Sequence, residues 1–77
     1  MDSPKLVSVQ RGSIPAERVV LLRHRRKWKQ EDLAREAGLK VDTIRRIERG
    51  SDVRIHSLEL VAQALGVTVS YLYKPID

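Results

Sequence analysis

The sequence predicts an all-α domain of five short helices. The clearest sign is an apolar stripe at helical spacing, formed by Leu58, Val61, Ala62 and Leu65. A glycine follows three of the candidate helices and provides a stop signal: Gly38, Gly50 and Gly66. In addition, only about three residues separate the second helix from the third, a spacing typical of two short helices that cross closely.

Length and composition exclude several classes of protein. A chain of 77 residues forms one domain, and its 42% hydrophobic content suffices for a small core. The absence of cysteine excludes disulfides and cysteine-ligated zinc. No apolar run approaches the roughly 18 residues that span a membrane, and the N-terminus lacks the layout of a secretory signal. We therefore expect a cytoplasmic domain with no membrane partner.

Positive charge is concentrated in the middle of the chain. The formal net charge is +5. Residues 14–54 hold 12 basic and 7 acidic side chains, whereas residues 55–77 hold one basic and two acidic ones. This asymmetry indicates one part that faces a polyanion and a separate part that serves packing. The alternative is a solvated surface on an ordinary basic protein.

Cap and stop signals give the limits of the five helices. Helix 1 is expected at about 15–27, where Pro15 follows the capping residue Ser13. Acidic residues stand in the first turn of helix 2, which lies within 29–38. The remaining helices are expected at 41–49, 55–65 and 69–73, with a loop at 51–54.

The first 13 residues are expected to form a flexible N-terminal arm, separate from the domain at 14–77. Pro4, Gly12 and three serines are typical of such an arm. Residues 5–10 contain β-branched side chains in weak alternation, so a short strand there is the alternative.

Two linked blocks of residues carry a specific motif. The first describes a short helix, a glycine-containing turn and a second short helix: Gln30, Leu33, Ala34, Gly38, Leu39, Thr43, Ile44, Ile47, Glu48 and Gly50. The second block follows at Ser57, Leu58, Val61, Ala62, Ala64, Leu65, Gly66 and Val67. Together they resemble the lambda-repressor-like (Cro/XRE) helix-turn-helix DNA-binding family, over residues 15–73 and without a gap.

The resemblance implies a five-helix lambda-repressor-like domain that binds double-stranded DNA. When helix-turn-helix proteins of this kind bind DNA, the N-terminal half of the third helix enters the major groove. The residues implied in DNA binding are Lys29, Gln30, Lys40, Val41, Asp42, Thr43, Arg45, Arg46, Arg49 and Arg54. Arg46 suits a bidentate contact with guanine, and Val41 suits a thymine methyl group. Asp42 either accepts from cytosine N4 or favours the helix dipole.

Other positions are implied in contact with phosphates. Gln30 begins helix 2, where helix N–H groups favour anions, and Lys29 precedes it. Two further residues are expected on phosphates: Thr43 and Arg45. Lys40 and Arg54 stand where the family commonly has residues that cap helices 3 and 4. Their charge either serves phosphate contact or is tolerated, and the sequence leaves both open.

The resemblance also implies a buried ion pair between Arg23 and Glu48, which would join helix 1 to helix 3. Its role is structural, because removal of one partner leaves the other charge buried alone. The basic run at 23–29 is likewise interpreted as structural. Trp28 stands at an apolar core position, and the cations suit the negative pole of helix 1.

No catalytic or metal-binding pattern is evident. The sequence has no plausible Ser/His/Asp grouping, no glycine-rich phosphate loop and no paired carboxylates in a cleft. His24 and His56 lack a third ligand at suitable spacing. We therefore expect a protein that is not an enzyme and that takes no metal, cofactor or small-molecule ligand.

The C-terminal segment is more apolar than one small domain readily hides. Its apolar residues are Ile55, Val67, Val69, Tyr71, Leu72, Tyr73 and Ile76. A patch there suits an isologous interface, so we expect a homodimer. The expected function is sequence-specific regulation of transcription on a two-fold related operator, with a repressor as one form.

A second hypothesis is an antitoxin or another protein-interaction module in which DNA binding is secondary. Antitoxins usually carry an extra segment that binds the toxin, and residues 1–13 are the candidate for it here. Small members of the family also include restriction–modification controllers and phage-type repressors. The sequence does not choose among these circuits.

Overall fold

The computed structural model describes residues 6–7 and 14–75, which form five helices and a two-stranded ribbon. The elements are β1 (Leu6–Val7), α1 (Ile14–Arg25), α2 (Gln30–Ala37), α3 (Val41–Arg49), β2 (Val53–Arg54), α4 (Ile55–Ala64) and α5 (Val69–Leu72). The predicted all-α class with five helices is confirmed. Of the helices in this described part, none is long and apolar enough to cross a membrane.

The first helix ends two residues earlier than the sequence predicts. Lys27 adopts a left-handed backbone with φ of 58°, a conformation that costs a non-glycine residue energy. Its N–H donates to the carbonyl of His24, and the N–H of Trp28 donates to the carbonyl of Arg23. This pattern closes a helix end and turns the chain toward α2. The helix therefore stops at Arg25, because Lys27 reverses the chain.

The N-terminal ribbon agrees with the alternative of a short strand within residues 5–10 and corrects the expectation of a loop at 51–54. Leu6 pairs with Arg54 and Val7 pairs with Val53 in an antiparallel register. The arm is therefore not wholly flexible, and 51–54 is not wholly a loop, since each contributes a strand. The pairing joins segments more than forty residues apart, which local alternation signals only weakly. The rest of the arm and Ile76 lie outside the described residues.

The core lies between the helices and takes one side of each. Its buried residues are Ala16, Val19, Leu33, Ala34, Ala37, Ile44, Ile47, Val53, Leu58, Val61, Ala62, Leu65 and Leu72. The small side chains of Ala34 and Ala37 on α2 let α3 approach closely. Close packing of α2 against α3 and α4 then holds α3 against the core, and the other side of α3 faces solvent.

A buried ionic network joins the first three helices. Arg23 Nε lies 2.6 Å from Glu48 Oε2, and its Nη2 lies 3.0 Å from Oε1. The two side chains are only 10% and 7% exposed. Arg23 Nη1 also donates to the carbonyl of Trp28, and Gln30 Nε2 donates to Glu48 Oε1. The predicted pair of α1 and α3 is thus present, and α2 is tied to the same carboxylate.

A second buried arginine attaches the C-terminal segment to α1. Arg18 is 7% exposed, and its Nη2 donates to the carbonyls of Lys74 and Pro75 at 2.7 and 3.0 Å. Its Nη1 donates to the Tyr71 hydroxyl, and the guanidinium lies 4.5 Å from the centre of that ring. Among the described residues, the partners of this positive charge are carbonyl and aromatic groups.

We expect Arg23→Ala to lower the free energy of unfolding by about 3–5 kcal/mol, because it leaves Glu48 buried without its partner. The double variant Arg23→Met, Glu48→Leu removes both charges and should lose less than Arg23→Ala alone. Urea unfolding followed by circular dichroism measures all three proteins. A double variant less stable than Arg23→Ala would contradict a cost that arises from an unpaired buried charge.

We expect Arg18→Ala to release the C-terminal segment, because four of its described contacts end on residues 71–75. Hydrogen exchange of the α5 amides should speed up far more than that of the α2 amides. Tyr71→Phe keeps the ring beneath the guanidinium and removes one hydrogen bond, so it is the milder control and should cost about 1 kcal/mol. Equal protection of α5 in wild type and Arg18→Ala would refute this role.

Candidate nucleic-acid interface

Helices α2 and α3 are connected by a tight turn. Gly38 ends α2 with φ of 70°, and its N–H and that of Leu39 donate to carbonyls in the last turn of α2. The left-handed conformation suits glycine, so the chain reverses within three residues. Leu33 on α2 and Ile44 on α3 are fully buried against the same core. The two helices therefore pack as one unit, with one side of α3 at the surface.

The outward face of α3 is rich in charge. Ile44 and Ile47 are fully buried, and the residues on the other side of the helix are exposed. These exposed residues are Asp42, Arg45, Arg46 and Arg49. Val41 and Thr43 are half-buried at the edge of this face, and Val41 packs partly on the core. The structure thus places the predicted base-reading residues of α3 on or beside one exposed surface.

Three helices begin at a cation. Lys29, Lys40 and Arg54 are the N-cap residues of α2, α3 and α4, and no side-chain hydrogen bond caps these helices from those positions. A lysine or arginine side chain only donates, so it has no oxygen to offer the free helix N–H groups. Within the described residues these three side chains are exposed and have no ion pair. Free N–H groups beside a cation make each helix start attractive to an anion.

Asp32 caps α2 from inside the helix. Its Oδ2 accepts from the backbone N–H of Lys29 at 2.7 Å, and its Oδ1 lies 3.0 Å from Arg35 Nη2. The hydrogen bond from Lys29, aided by the nearby Arg35, holds the pKa of Asp32 below its usual value. The carboxylate is therefore occupied within α2, and the side chain of Lys29 is left free.

Gln30 has a structural contact that sequence reasoning missed. Its side-chain amide donates to Glu48 at 3.1 Å, within the network of Arg23. The expected contact of Gln30 with phosphate stays a prediction, and it now involves the backbone N–H in the first turn of α2 as well as the amide proton that remains. No local pattern signals the contact, because Gln30 and Glu48 lie on different helices.

Asp42 and Arg46 form an ion pair along α3. Arg46 Nε lies 3.2 Å from Asp42 Oδ2, and both side chains are more than half exposed. The sequence offered Asp42 two roles, and the structure adds this third arrangement. The signal was available, because residues four apart on a helix are neighbours on one face.

A polar groove borders the outward face of α3. It lies between α3 and the start of α4, and it is lined by Thr43, Arg46, Asp52, Val53, Arg54 and Ser57. The strand pairing of β2 with β1 fixes the backbone at Val53 and Arg54 on one side of this groove. Arg54, which the sequence predicts as a DNA-binding residue, thus lies in the same groove as Arg46. The sequence did not predict that Asp52 and Ser57 also line this groove.

Part of the basic run at 23–29 is structural. Arg26 Nη2 donates to the carbonyl of Leu65 at 3.0 Å, which ties the end of α1 to the end of α4. The same guanidinium lies 5.0 Å from the centre of the Trp28 ring, and that ring is half-buried against the core. The interpretation of Trp28 as a packing residue agrees with this position. Arg25 and Lys27 are exposed.

The C-terminal surface is less exposed than the sequence predicts. Leu72 is fully buried in the monomer core, so its assignment to a dimer interface is wrong. Burial follows because α5 packs on both α1 and α4. Four of the predicted interface residues are half-buried: Ile55, Val67, Val69 and Tyr71. Tyr73 is 42% exposed and is the most accessible large apolar residue of the described part.

The described histidines do not converge. His56 Nδ1 lies 3.5 Å from Glu59 on α4, and His24 lies on α1 beside a groove that also contains Glu17 and Glu48. In residues 6–7 and 14–75, no three His, Cys, Asp or Glu side chains are close enough together to hold a metal ion.

Comparisons with known proteins agree with this architecture. A helix-turn-helix family model of Cro/C1 type matches residues 21–72, which include α2, α3 and α4. Among solved structures, the chain is similar to the hypothetical transcription factor NHTF from Neisseria, with 32% identity and a TM-score of 0.73 over 82% of this chain and 74% of that one. No curated protein matches. The chain therefore belongs to the lambda-repressor-like helix-turn-helix family of Cro/C1 type.

Proposed function

We propose that the protein is a regulator of transcription that binds double-stranded DNA sequence-specifically, as a homodimer on a two-fold related operator. The observation that carries the proposal is the surface of α3. Its arginines are exposed on one face, while the buried isoleucines and the Glu48 network hold the opposite face to the core. Family membership and the similarity to NHTF support a DNA-binding regulator of transcription.

In the proposed complex, α3 lies in the major groove and the helix starts meet the DNA backbone. Arg46 projects from the middle of α3, where a guanidinium can donate to guanine O6 and N7 together. Lys29, Lys40 and Arg54 provide cations at the starts of α2, α3 and α4. Phosphates are the same on every sequence, so these cations give affinity and fix the register of α3.

A homodimer is proposed because one recognition helix reads only a few base pairs. Two copies related by a two-fold axis read two half-sites, with their recognition helices about 34 Å apart. The half-buried apolar residues around α5, together with exposed Tyr73, are the proposed interface. The Arg18 contacts support this assignment, because they give the segment a fixed position on α1.

We expect Arg46→Ala to reduce operator affinity by about 1–3 kcal/mol and to leave binding to random duplex much less affected, because a guanine contact is sequence-specific. Lys29→Ala should weaken binding to both duplexes alike, because its expected partner is a phosphate. The operator is obtained by selection from a random duplex pool, and each variant is titrated against the operator and a scrambled duplex.

Salt dependence separates the two residues further. The logarithm of the binding constant should fall with the logarithm of salt concentration, with a slope of about −0.9 per phosphate neutralised. Lys29→Ala should reduce the magnitude of this slope by roughly one per subunit. If Arg46→Ala weakened both duplexes equally, Arg46 would contact the backbone, and α3 would have to be rotated in the groove. A slope near zero for wild type would contradict DNA binding through the basic face.

We expect Tyr73→Asp to dissociate the dimer and to weaken operator binding, because it places a charge in the proposed apolar interface. Gln63→Asp is the matched control. It introduces the same charge on the exposed side of α4, in a groove shared with Arg35 and Gly38 and outside the proposed interface. Sedimentation equilibrium and operator titration of both variants measure the effect.

Tyr71→Asp is a poorer test, because Tyr71 also binds Arg18 within the monomer. An unchanged mass and an unchanged operator affinity for Tyr73→Asp would place the dimer interface elsewhere. A monomeric wild-type protein, both free and on DNA, would overturn the homodimer proposal.

A further inference from the structure

The outward face of α3 contains one acidic residue among three arginines. Asp42 stands in the first turn of α3, and Arg45, Arg46 and Arg49 follow on the same side. Asp42 is paired with Arg46 through the Nε atom at 3.2 Å, and it has no described contact with Arg45, although that residue is also within one turn. The carboxylate of Asp42 thus pairs with Arg46, the arginine that we expect to contact a base.

We propose that Asp42 is a positioning residue that determines sequence specificity through Arg46. It holds the guanidinium over the N-terminal half of α3 and away from the phosphates on either side. This inference rests on the proposed DNA-binding function.

The first argument is the geometry of the guanidinium. The contact of Asp42 is with Nε, which leaves the two Nη groups of Arg46 free to donate. A pair of N–H groups on one edge can meet guanine O6 and N7 together. An exposed arginine has many rotamers, so a partner one turn away reduces the entropy that Arg46 must lose on binding a base.

The second argument is the balance of charge. Two other acids near this face are occupied: Glu48 binds Arg23 and Gln30, and Asp32 binds Arg35 and the backbone of Lys29. Asp42 is 64% exposed and repels phosphates of any sequence. Such a carboxylate weakens binding to random DNA, and the correct base compensates by its bond with the oriented Arg46. A repulsive element of this kind raises the ratio of specific to nonspecific affinity.

Asp42→Asn tests the proposal, with Asp52→Asn as the matched control. Both changes remove one negative charge and keep nearly the same shape. Asp52 is exposed in the groove beside Arg46, yet it has no described ion pair. Dissociation constants are measured for the duplex that wild type selects from a random pool and for a scrambled duplex of the same length.

Asp52→Asn should tighten binding to both duplexes by the same factor. Asp42→Asn should tighten binding to the scrambled duplex and leave binding to the selected duplex unchanged. The specificity ratio, which is the dissociation constant for the scrambled duplex divided by that for the selected duplex, should therefore fall by about threefold or more, as expected for loss of one surface ion pair. Asp42→Glu should restore the ratio, since glutamate also pairs with an arginine four residues later. Thermal unfolding of all variants should be nearly unchanged, which separates this role from a structural one.

The Arg46→Ala background completes the test. There, Asp42→Asn should change both dissociation constants by the same factor, because no guanidinium remains to be positioned. A ratio unchanged by Asp42→Asn overturns the inference. A ratio that still falls in the Arg46→Ala background also overturns it, because Asp42 then reads a base itself. If wild type selects no duplex at all, the proposed function fails first, and this outcome is distinct from the other two.

Discussion

The bidentate contact between Arg23 and Glu48 is the interaction on which the helix-turn-helix unit depends. It joins α1 to α3, while the same two side chains bind the carbonyl of Trp28 before α2 and the amide of Gln30 within it. Packing of Ile44 and Ile47 decides which side of α3 is buried, but it is nondirectional and leaves the helix some freedom to rotate and slide. A buried guanidinium and carboxylate are stable together only in a narrow range of geometries, because each loses its hydration. The ion pair therefore restricts α3, and with it the exposed arginines, to the narrow range of rotations that keeps both hydrogen bonds of Glu48 with Arg23.

The basic side chains divide into two groups with different tasks. Arg18, Arg23 and Arg26 bind backbone carbonyls, a carboxylate or an aromatic ring within the fold. The planar guanidinium with its five N–H donors suits such multiple contacts better than the ammonium of lysine does. The second group lies on the surface at α3 and at the helix starts, and its members have few described partners. The positive charge of the sequence is therefore partly internal, and the face available to a polyanion is smaller than the composition alone indicates.

The cations at the starts of α2, α3 and α4 occupy positions where a capping side chain would stabilise the helix. A good N-cap side chain contributes about 1 kcal/mol, and Lys29, Lys40 and Arg54 give up that contribution. In α2, Asp32 offsets part of it by accepting the N–H of Lys29. In α3 and α4 the free N–H groups remain available to an outside anion, and this is the property expected of helix ends beside a DNA backbone.

The sequence by itself determined the helices and the side of each one that is buried. Glycine stops and apolar spacing are local, so α2, α3 and α4 and the exposure of Arg45 and Arg46 could be predicted from residues within one or two turns. The Arg23–Glu48 pair could be predicted through the family resemblance. The tertiary structure decided the pairing of β1 with β2, the burial of Leu72 and the contact of Gln30 with Glu48. It also decided the contacts of Arg18 with the segment 71–75, which lies more than fifty positions further along the chain. These contacts join segments that are distant in the chain, and they leave no periodic pattern because their geometry exists only after the helices have packed.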